Sequence, residues 1–167
     1  MRRRALFGST VVLAATMTWA EVSTAKRPDL EVVLHIDGGM TDPPAHYFIL
    51  KVNFSGEIDG GGDLNPGLPP PPRQLSVAAH AELAAILKRE GFFALTGFAC
   101  APDLGFRSIE AWQGTKKRSV IFCTASKDVP LREAQHVLRV WYGVLSVVAG
   151  KRVPVVKADE DILARKP

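Results

Sequence analysis

Two early segments of the chain alternate apolar and polar residues as β-strands do. Residues 30–36 alternate well enough for a strand, and an Asp-Gly-Gly sequence at 37–39 supplies turn chemistry at its end. Residues 46–54 have the strongest strand pattern, because they are rich in aromatic and β-branched side chains. Four apolar residues should share one face of this second strand: Phe48, Leu50, Val52 and Phe54.

Two longer segments have the three-and-four spacing of amphipathic helices. The first runs from a Ser76 N-cap to about residue 90, and Gly91 suits the left-handed position that ends a helix. Its predicted buried stripe is Ala79, Leu83, Ile86 and Leu87. The second begins near 129–131 and stops at Gly150. Its predicted buried stripe is Leu131, Ala134, Leu138, Trp141, Leu145 and Val148.

The remaining segments complete a sheet. Phe92, Phe93 and Leu95 are expected to fill the core, and residues 106–113 and 118–124 to pair as a hairpin around Gly114. The other predictions are a short edge strand at 151–156, a single domain over 26–156, and a charged C-terminal tail over 157–167. The order β-β-α-β-β-α predicts an α+β fold, a two-layer sandwich in which both helices cover one face of an antiparallel sheet.

The N-terminal sequence has the three parts of a secretory signal peptide. Arginines at 2–4 form the positive region, an apolar run at 5–19 follows, and small residues permit cleavage after Ala20 or after Ala25. An uncleaved anchor and a transit peptide are the alternatives. The apolar run is shorter than the ~20 residues of a membrane-spanning helix, so no span is expected after signal removal. The two candidate signal segments are 1–20 and 1–25.

Charge gives little reason to expect nucleic-acid binding. The chain has 21 Lys and Arg and 17 Asp and Glu, a net charge of +4. Cleavage after Ala20 removes three arginines and leaves 18 basic against 17 acidic residues. The one local basic cluster, at 116–118, lies beside Gly114 and is typical of a solvated turn.

The two cysteines, Cys100 and Cys123, fit an oxidising compartment. If they pair, the disulfide closes a loop of about 24 residues and stabilises the fold by roughly 3 kcal/mol. Two separate buried thiols are the alternative. Their spacing does not suggest a zinc site or a redox motif.

Candidate catalytic chemistry is sparse. His35, Asp37 and His46 could converge on zinc if their strands pair, although ordinary strand histidines explain them better. The sequence has no Gly-x-Ser-x-Gly motif, and a flexible loop explains the glycines at 60–62 with Asp63 better than a phosphate or calcium loop does. We therefore predict no catalytic, cofactor-binding or metal-binding residue.

Two surfaces remain as candidates for binding a partner. The Gly- and Pro-rich segment 55–73, which includes Gly60 and Asp63, is long enough to be either functional or disordered. The apolar end of the last helix could form a second surface, unless the sheet and the C-terminal segment cover it. The candidate residues on that helix are Tyr142, Val144 and Val147.

A set of short motifs occurs in a characteristic order between residues 30 and 148. They are Gly38-Gly39, Ser55-Gly56 after the strand 47–54, Glu90-Gly91-Phe92-Phe93-Ala94-Leu95, Asp103, and Val129-Pro130-Leu131. This order resembles that of emfourin-like inhibitors of thermolysin-type metalloproteases and of a related uncharacterised family of exported bacterial domains. The resemblance implies the same order of strands and helices, and a protease as a partner. It transfers no site residue, because its most specific piece, Phe-Phe-x-Leu, is a core motif.

The resulting hypothesis is an exported, periplasmic or secreted, non-enzymatic domain that binds an unidentified protein. Inhibition of a secreted or periplasmic protease is its most specific form, with loops on a rigid sheet blocking the active site. The alternatives are a structural or assembly protein of the envelope and a small enzyme that depends on a metal or a cysteine.

Overall fold

The computed structural model describes residues 26–37, 48–60, 73–97, 100, 106–123 and 130–166. Within them, five strands form one antiparallel sheet. The strands are β1 (Leu30–Asp37), β2 (Phe48–Val52), β3 (Ile58–Gly60), β4 (Phe106–Gln113) and β5 (Lys116–Phe122). Their order across the sheet is β3-β2-β1-β4-β5, so the first strand in sequence lies at the centre. The predicted signal segment lies outside the described residues.

In the described ranges, three α-helices and one 3-10 helix accompany the sheet. The helices are α1 (Val77–Arg89), the 3-10 helix (Phe92–Ala94), α2 (Leu131–Ala149) and α3 (Lys157–Ala164). The Ser76 hydroxyl accepts a hydrogen bond from the Ala79 N–H at 3.1 Å, so the predicted N-cap of α1 is confirmed. Gly91 and Gly150 adopt left-handed conformations after α1 and α2, with φ of 64° at both positions.

The core lies between the helices and one face of the sheet. The buried strand residues alternate with exposed or half-buried ones, which confirms an α+β fold with one covered face. Helices α1 and α2 pack closely, and a Cβ atom at Gly143 would lie 3.1 Å from the Ile86 side chain. On the sheet, the buried core residues are Leu30, Val32, Leu34, Leu50, Val52, Ile109, Ala111, Val120 and Phe122.

The first half of the sheet differs from the prediction in two respects. Strand β2 ends at Val52, and the Asn53 side-chain oxygen accepts hydrogen bonds from the backbone N–H groups of Ser55 and Glu57. Because this turn redirects the chain, Phe54 is 44 % exposed and does not share the buried face. The chain then returns as β3, in a segment predicted to be irregular.

The C-terminal segment also differs. Residues 151–156 form no strand, and the segment predicted as a charged tail contains α3, which packs against α2. Among the described elements the order is therefore β-β-β-α-β-β-α-α. No helix in the described part of the chain has the length and apolar character needed to cross a membrane.

Candidate functional site

The face of the sheet opposite the helices carries a row of side chains that crosses four strands. Strand register places Ile49 beside His35, His35 beside Ser108, and Ser108 beside Ile121. Ile49 is 51 % exposed and Ile121 is 42 % exposed, whereas Ser108 is buried. We call these four residues the open-face row. It presents one large aliphatic side chain at each end of a rigid backbone ladder.

Neighbouring side chains on the same face are largely paired with one another. The His35 ring meets the Phe106 ring edge-on, with 5.9 Å between the ring centroids. The Lys51 amine lies 3.2 Å from the Glu31 carboxylate. Nearer the hairpin turn, the Lys117 amine lies 4.8 Å from the centroid of the Trp112 ring on the neighbouring strand. These pairings leave the two isoleucines as the uncovered apolar ends of the row.

The four predicted partner residues that the structure describes differ in exposure. Val144 is completely buried, so it is not available to a partner. The Tyr142 hydroxyl donates a hydrogen bond to Asp159 of α3. Val147 is half-buried in a cleft between α1 and α2. Gly60 lies in the edge strand β3 with a positive φ of 83°, and a Cβ atom there would collide with the carbonyl oxygen of Ile49. Asp63 lies outside the described residues.

A buried charge network, which the sequence pattern did not reveal, holds α3 in place. The Arg107 guanidinium donates two hydrogen bonds to the Asp159 carboxylate, at 2.7 and 2.8 Å, and the Tyr142 hydroxyl donates a third at 2.6 Å. Asp159 is completely buried. Arg107 also lies over the rings of Phe122 and Trp141, at 4.9 and 5.6 Å from their centroids. The network joins β4, α2 and α3.

The pKa values of this network follow from its burial and pairing. Burial alone would lower the pKa of Arg107, but the hydrogen bonds and the charge of Asp159 raise it. Burial and the hydrogen bond to Asp159 raise the pKa of Tyr142. Both shifts keep Arg107 charged and Tyr142 protonated near neutral pH. The network is therefore a structural clamp on α3. The side chains of Arg107, Asp159 and Tyr142 are hydrogen-bonded within it.

A second buried carboxylate, Glu90, lies where α1 meets α2. It is 3.0 Å from both Arg89 Nε and His136 Nδ1, and 3.8 Å from a guanidinium nitrogen of Arg139. Burial would raise the pKa of Glu90, but the hydrogen bonds from Arg89 and His136 and the charge of Arg139 lower it. These contacts stabilise the carboxylate form and join the end of α1 to α2.

A third carboxylate orders the segment after the 3-10 helix. The Glu133 side chain accepts hydrogen bonds from the Thr96 hydroxyl, at 2.6 Å, and from the backbone N–H groups of Thr96 and Gly97. Burial would raise its pKa, yet these hydrogen bonds and the charge of Arg118 lower it.

The three histidines that the structure describes lie on different elements. His80 is completely buried in the core, where its Nε2 donates to the Leu30 carbonyl at 3.0 Å. His136 contacts Glu90, and His35 lies on the open face. His46 and the Asp37 side chain lie outside what the structure describes, so the predicted alternative of a zinc site on these strands stays untested. Among the described side chains, no group of three or more potential ligands could hold a metal ion.

The predicted disulfide is confirmed. Cys100 and Cys123 are bonded to each other, with their Cα atoms 5.8 Å apart. The bond ties the segment before β4 to the residue that follows β5. Because each sulfur is bonded to the other, neither cysteine is a free thiol in this structure.

Comparison of the chain with protein-family models and with curated proteins gives no match.

Proposed function

We propose that this chain is an exported, non-enzymatic binding domain that receives one protein partner on the open-face row. The observation that carries the proposal is the exposure of Ile49 and Ile121 at the two ends of that row. A partner that covers both isoleucines removes their apolar surface from water. The partner surface is expected to be apolar opposite the two ends of the row, since the row itself carries no charged carboxylate or amine.

The sheet beneath the row supports this role physically. Each residue of the row is held by strand pairing on at least one side, and the opposite face of β1 and β4 is packed against the helices. Binding therefore costs little backbone entropy, because the recognition surface is ordered before the partner arrives. Covering the two isoleucines contributes about 25 cal/mol for each Å² of apolar surface removed from water.

Inhibition of a secreted or periplasmic protease is the most specific form of the proposal. Its support is the resemblance to emfourin-like inhibitors, together with a disulfide that fits an oxidising compartment. The domain would block the protease sterically and contribute no reacting group. The disulfide also weighs against the alternative of a cysteine-dependent enzyme, since both thiols are consumed.

Affinity capture tests the proposal. The mature, disulfide-bonded chain serves as bait in native envelope and culture extracts, with mass spectrometry as the readout. An Ile49→Ser/Ile121→Ser double variant removes the apolar ends of the row. Val156→Ser is the matched control, because Val156 is an equally exposed aliphatic residue, 56 % exposed, that lies before α3.

We expect one dominant protease to be retained by the wild type and the Val156→Ser control and lost by the double variant. The purified protease should then lose activity when the wild-type chain is added. Retention by the double variant would exclude the open-face row as the site. Recovery of nothing above background would reject a tight-binding inhibitor. In that case, concentration-dependent self-association in sedimentation would favour a structural role in the envelope.

A further inference from the structure

Strand β5 forms one edge of the described sheet, and its two halves differ in charge. At the other edge, β3 is already paired, since the Ile58 N–H donates to the Arg73 carbonyl at 2.9 Å. Strand β5 begins with three cationic residues at 116–118, and charged residues deter the pairing of strand edges. Its second half, residues 119–122, carries no charge and is rich in β-forming side chains. That half would be open to strand pairing unless another segment covered it.

The segment after the 3-10 helix covers the uncharged half of β5. A Cβ atom on Gly97 would lie 3.5 Å from the backbone nitrogen of Ile121 and 3.8 Å from its carbonyl oxygen. In an antiparallel strand, the N–H and C=O of one residue point to the same side. Contact with both atoms therefore places Gly97 at the outer edge of β5. We call residues 95–97 together with Cys100 the cover segment.

Two kinds of contact hold the cover segment in place. Glu133 of α2 accepts hydrogen bonds from the Thr96 hydroxyl and from the backbone N–H groups of Thr96 and Gly97. The disulfide joins Cys100 to Cys123, which directly follows β5. Cys123 is buried and Cys100 is half-buried, so a small dithiol can approach the bond from the Cys100 side. Without the disulfide, Glu133 is the polar side chain that still holds this segment in the described part of the chain.

The sequence of β5 is self-complementary for antiparallel pairing with a second copy of the chain. Pairing centred on Ser119 places the cations at 116–118 opposite residues 120–122 of the second copy. No cation then faces another cation, and the methylenes of Lys117 lie beside Ile121 of the second copy. A second copy therefore fits this edge without a clash of like charges.

We infer that β5 is a self-association edge, closed by the disulfide and opened by a dithiol. The dithiol gives two electrons and two protons to the Cys100–Cys123 bond, which becomes two thiols while the dithiol becomes a disulfide. The cover segment then leaves Ile121, and two copies pair through β5 into one continuous antiparallel sheet. The inference does not depend on a partner at the open-face row, although the Ile121 side chain belongs to that row.

Sedimentation velocity of the mature chain over a range of protein concentrations tests the inference. Three samples are compared: the disulfide-bonded wild type, the wild type reduced with dithiothreitol, and Cys100→Ser/Cys123→Ser without reductant. We expect a monomer in the first sample and a concentration-dependent dimer in the other two. Circular dichroism should show that the helices are retained in all three, so that the dimer is formed by folded chains.

A proline in the Cys100→Ser/Cys123→Ser background assigns the dimer to the β5 edge. Ser119 lies two residues from Ile121, so its N–H points to the same outer edge. Ser119→Pro removes this donor without removing a hydrogen bond to β4, and should weaken dimerisation about tenfold or more. Ser119→Ala keeps the N–H and is the matched control, which should dimerise as the parent does.

A charge variant in the same background tests the edge without a proline. Ile121→Lys places a second cation opposite Lys117 of the other copy, and should also weaken dimerisation. Its control is Val156→Lys, because Val156 is an exposed aliphatic residue outside the sheet. The control should leave dimerisation unchanged.

A third variant in this background acts on the cover segment instead of the edge. Glu133→Ala removes the charge-assisted hydrogen bonds to Thr96 and Gly97, so the segment leaves β5 more readily and dimerisation should strengthen about tenfold. Glu160→Ala removes an exposed carboxylate of α3 and should have no effect.

A dimer of the disulfide-bonded wild type, or a monomer in both samples that lack the disulfide, would overturn the inference. Unchanged dimerisation of both Ser119→Pro and Ile121→Lys would place the interface elsewhere and would also overturn it. Aggregates of undefined size with a lost helical signal would show that the disulfide maintains the fold and does not close an edge.

Discussion

Two isoleucines on adjacent strands show how differently the two faces of the sheet are used. Ile109 of β4 is completely buried against the helices, whereas Ile121 of β5 is 42 % exposed on the open face. The residues are chemically identical, and each lies in a strand of the same hairpin. The difference arises because α1 and α2 cover one face only. An apolar side chain on the covered face stabilises the fold, and one on the open face is available to a partner.

Charged residues reinforce the comparison. The covered side contains Arg107 and Asp159, which neutralise each other in the buried interior. The open face has its ion pair, Lys51 with Glu31, in partial contact with water. Burial therefore makes pairing obligatory on one side and optional on the other. Substitutions on the two sides should differ accordingly in their effect on stability and on binding.

The largest effect is expected at Asp159. Asp159→Ala leaves the Arg107 guanidinium buried without its carboxylate, and should destabilise the fold by about 3–5 kcal/mol in urea unfolding. Glu160→Ala, at the exposed neighbouring position, is the control and should change stability by no more than about 0.5 kcal/mol. The double variant Arg107→Met/Asp159→Leu should recover most of the loss. If Asp159→Ala unfolded like the control, the clamp would not stabilise the fold.

The matched isoleucines give the next largest difference. Ile109→Ala should destabilise the protein by about 2–5 kcal/mol, through lost burial and the cavity left behind. Ile121→Ala should change the unfolding free energy by about 0.5 kcal/mol or less. Both can be measured by urea denaturation of the disulfide-bonded chain. Similar losses at the two positions would show that another segment covers the open face.

A smaller effect on stability is expected from the protonation of His80, which is buried on the covered side of the sheet. Burial lowers the pKa of His80 from 6.5, the hydrogen bond to the Leu30 carbonyl opposes that shift, and the charge of Arg27 adds to it. The unfolded chain therefore binds more protons than the folded one below this pH. The His80 contribution is complete above pH 6.5 and is lost as the pH falls through 6.5 toward the folded value.

Unfolding free energies measured between pH 7.5 and 5.5 test this sign. The wild type should lose more stability than His80→Gln, whose amide can still donate to the Leu30 carbonyl. The lowered pKa values of Glu90 and Glu133 affect stability in a separate pH range, because the stabilisation by these carboxylates is lost below about pH 4.5. Parallel pH profiles for the wild type and His80→Gln would contradict the prediction.

The smallest effect is expected at the edge of the Glu90 cluster. Arg139 lies 3.8 Å from the Glu90 carboxylate and its side chain is 44 % exposed. Arg139→Gln should therefore cost about 0.5 kcal/mol or less, because water screens the pair and two closer partners remain. A loss of stability as large as that of Asp159→Ala would contradict this prediction. It would show that Glu90 needs Arg139 as much as Arg107 needs Asp159.

Local sequence signals predicted the elements that rest on nearby residues. The Ser76 cap, the glycines after α1 and α2, and the hairpin around Gly114 were all expected from short-range chemistry. Strand β3 and helix α3 were missed. The first has only three residues, and the second depends on contacts with α2 and β4, which no local pattern records.

The candidate sites show the same difference between what local sequence predicts and what contacts between distant segments decide. Alternation could place Ile49 and Ile121 on one face of their strands, but it could not say which face the helices would cover. The basic cluster at 116–118 was interpreted as a solvated turn because it lies beside Gly114. In the structure Lys116 and Lys117 are exposed, and Lys117 lies over the Trp112 ring.

Sequence alone determined the α+β composition, the helix ends and the candidate cysteine pair, since these depend on periodicity, capping and residue type. The tertiary structure decided which apolar residues remain exposed and which charges are paired. It buried Asp159 by folding α3 back onto α2, although the sequence of α3 is strongly polar. The physical reason is that burial and charge pairing are properties of two surfaces in contact, and the second surface is distant along the chain.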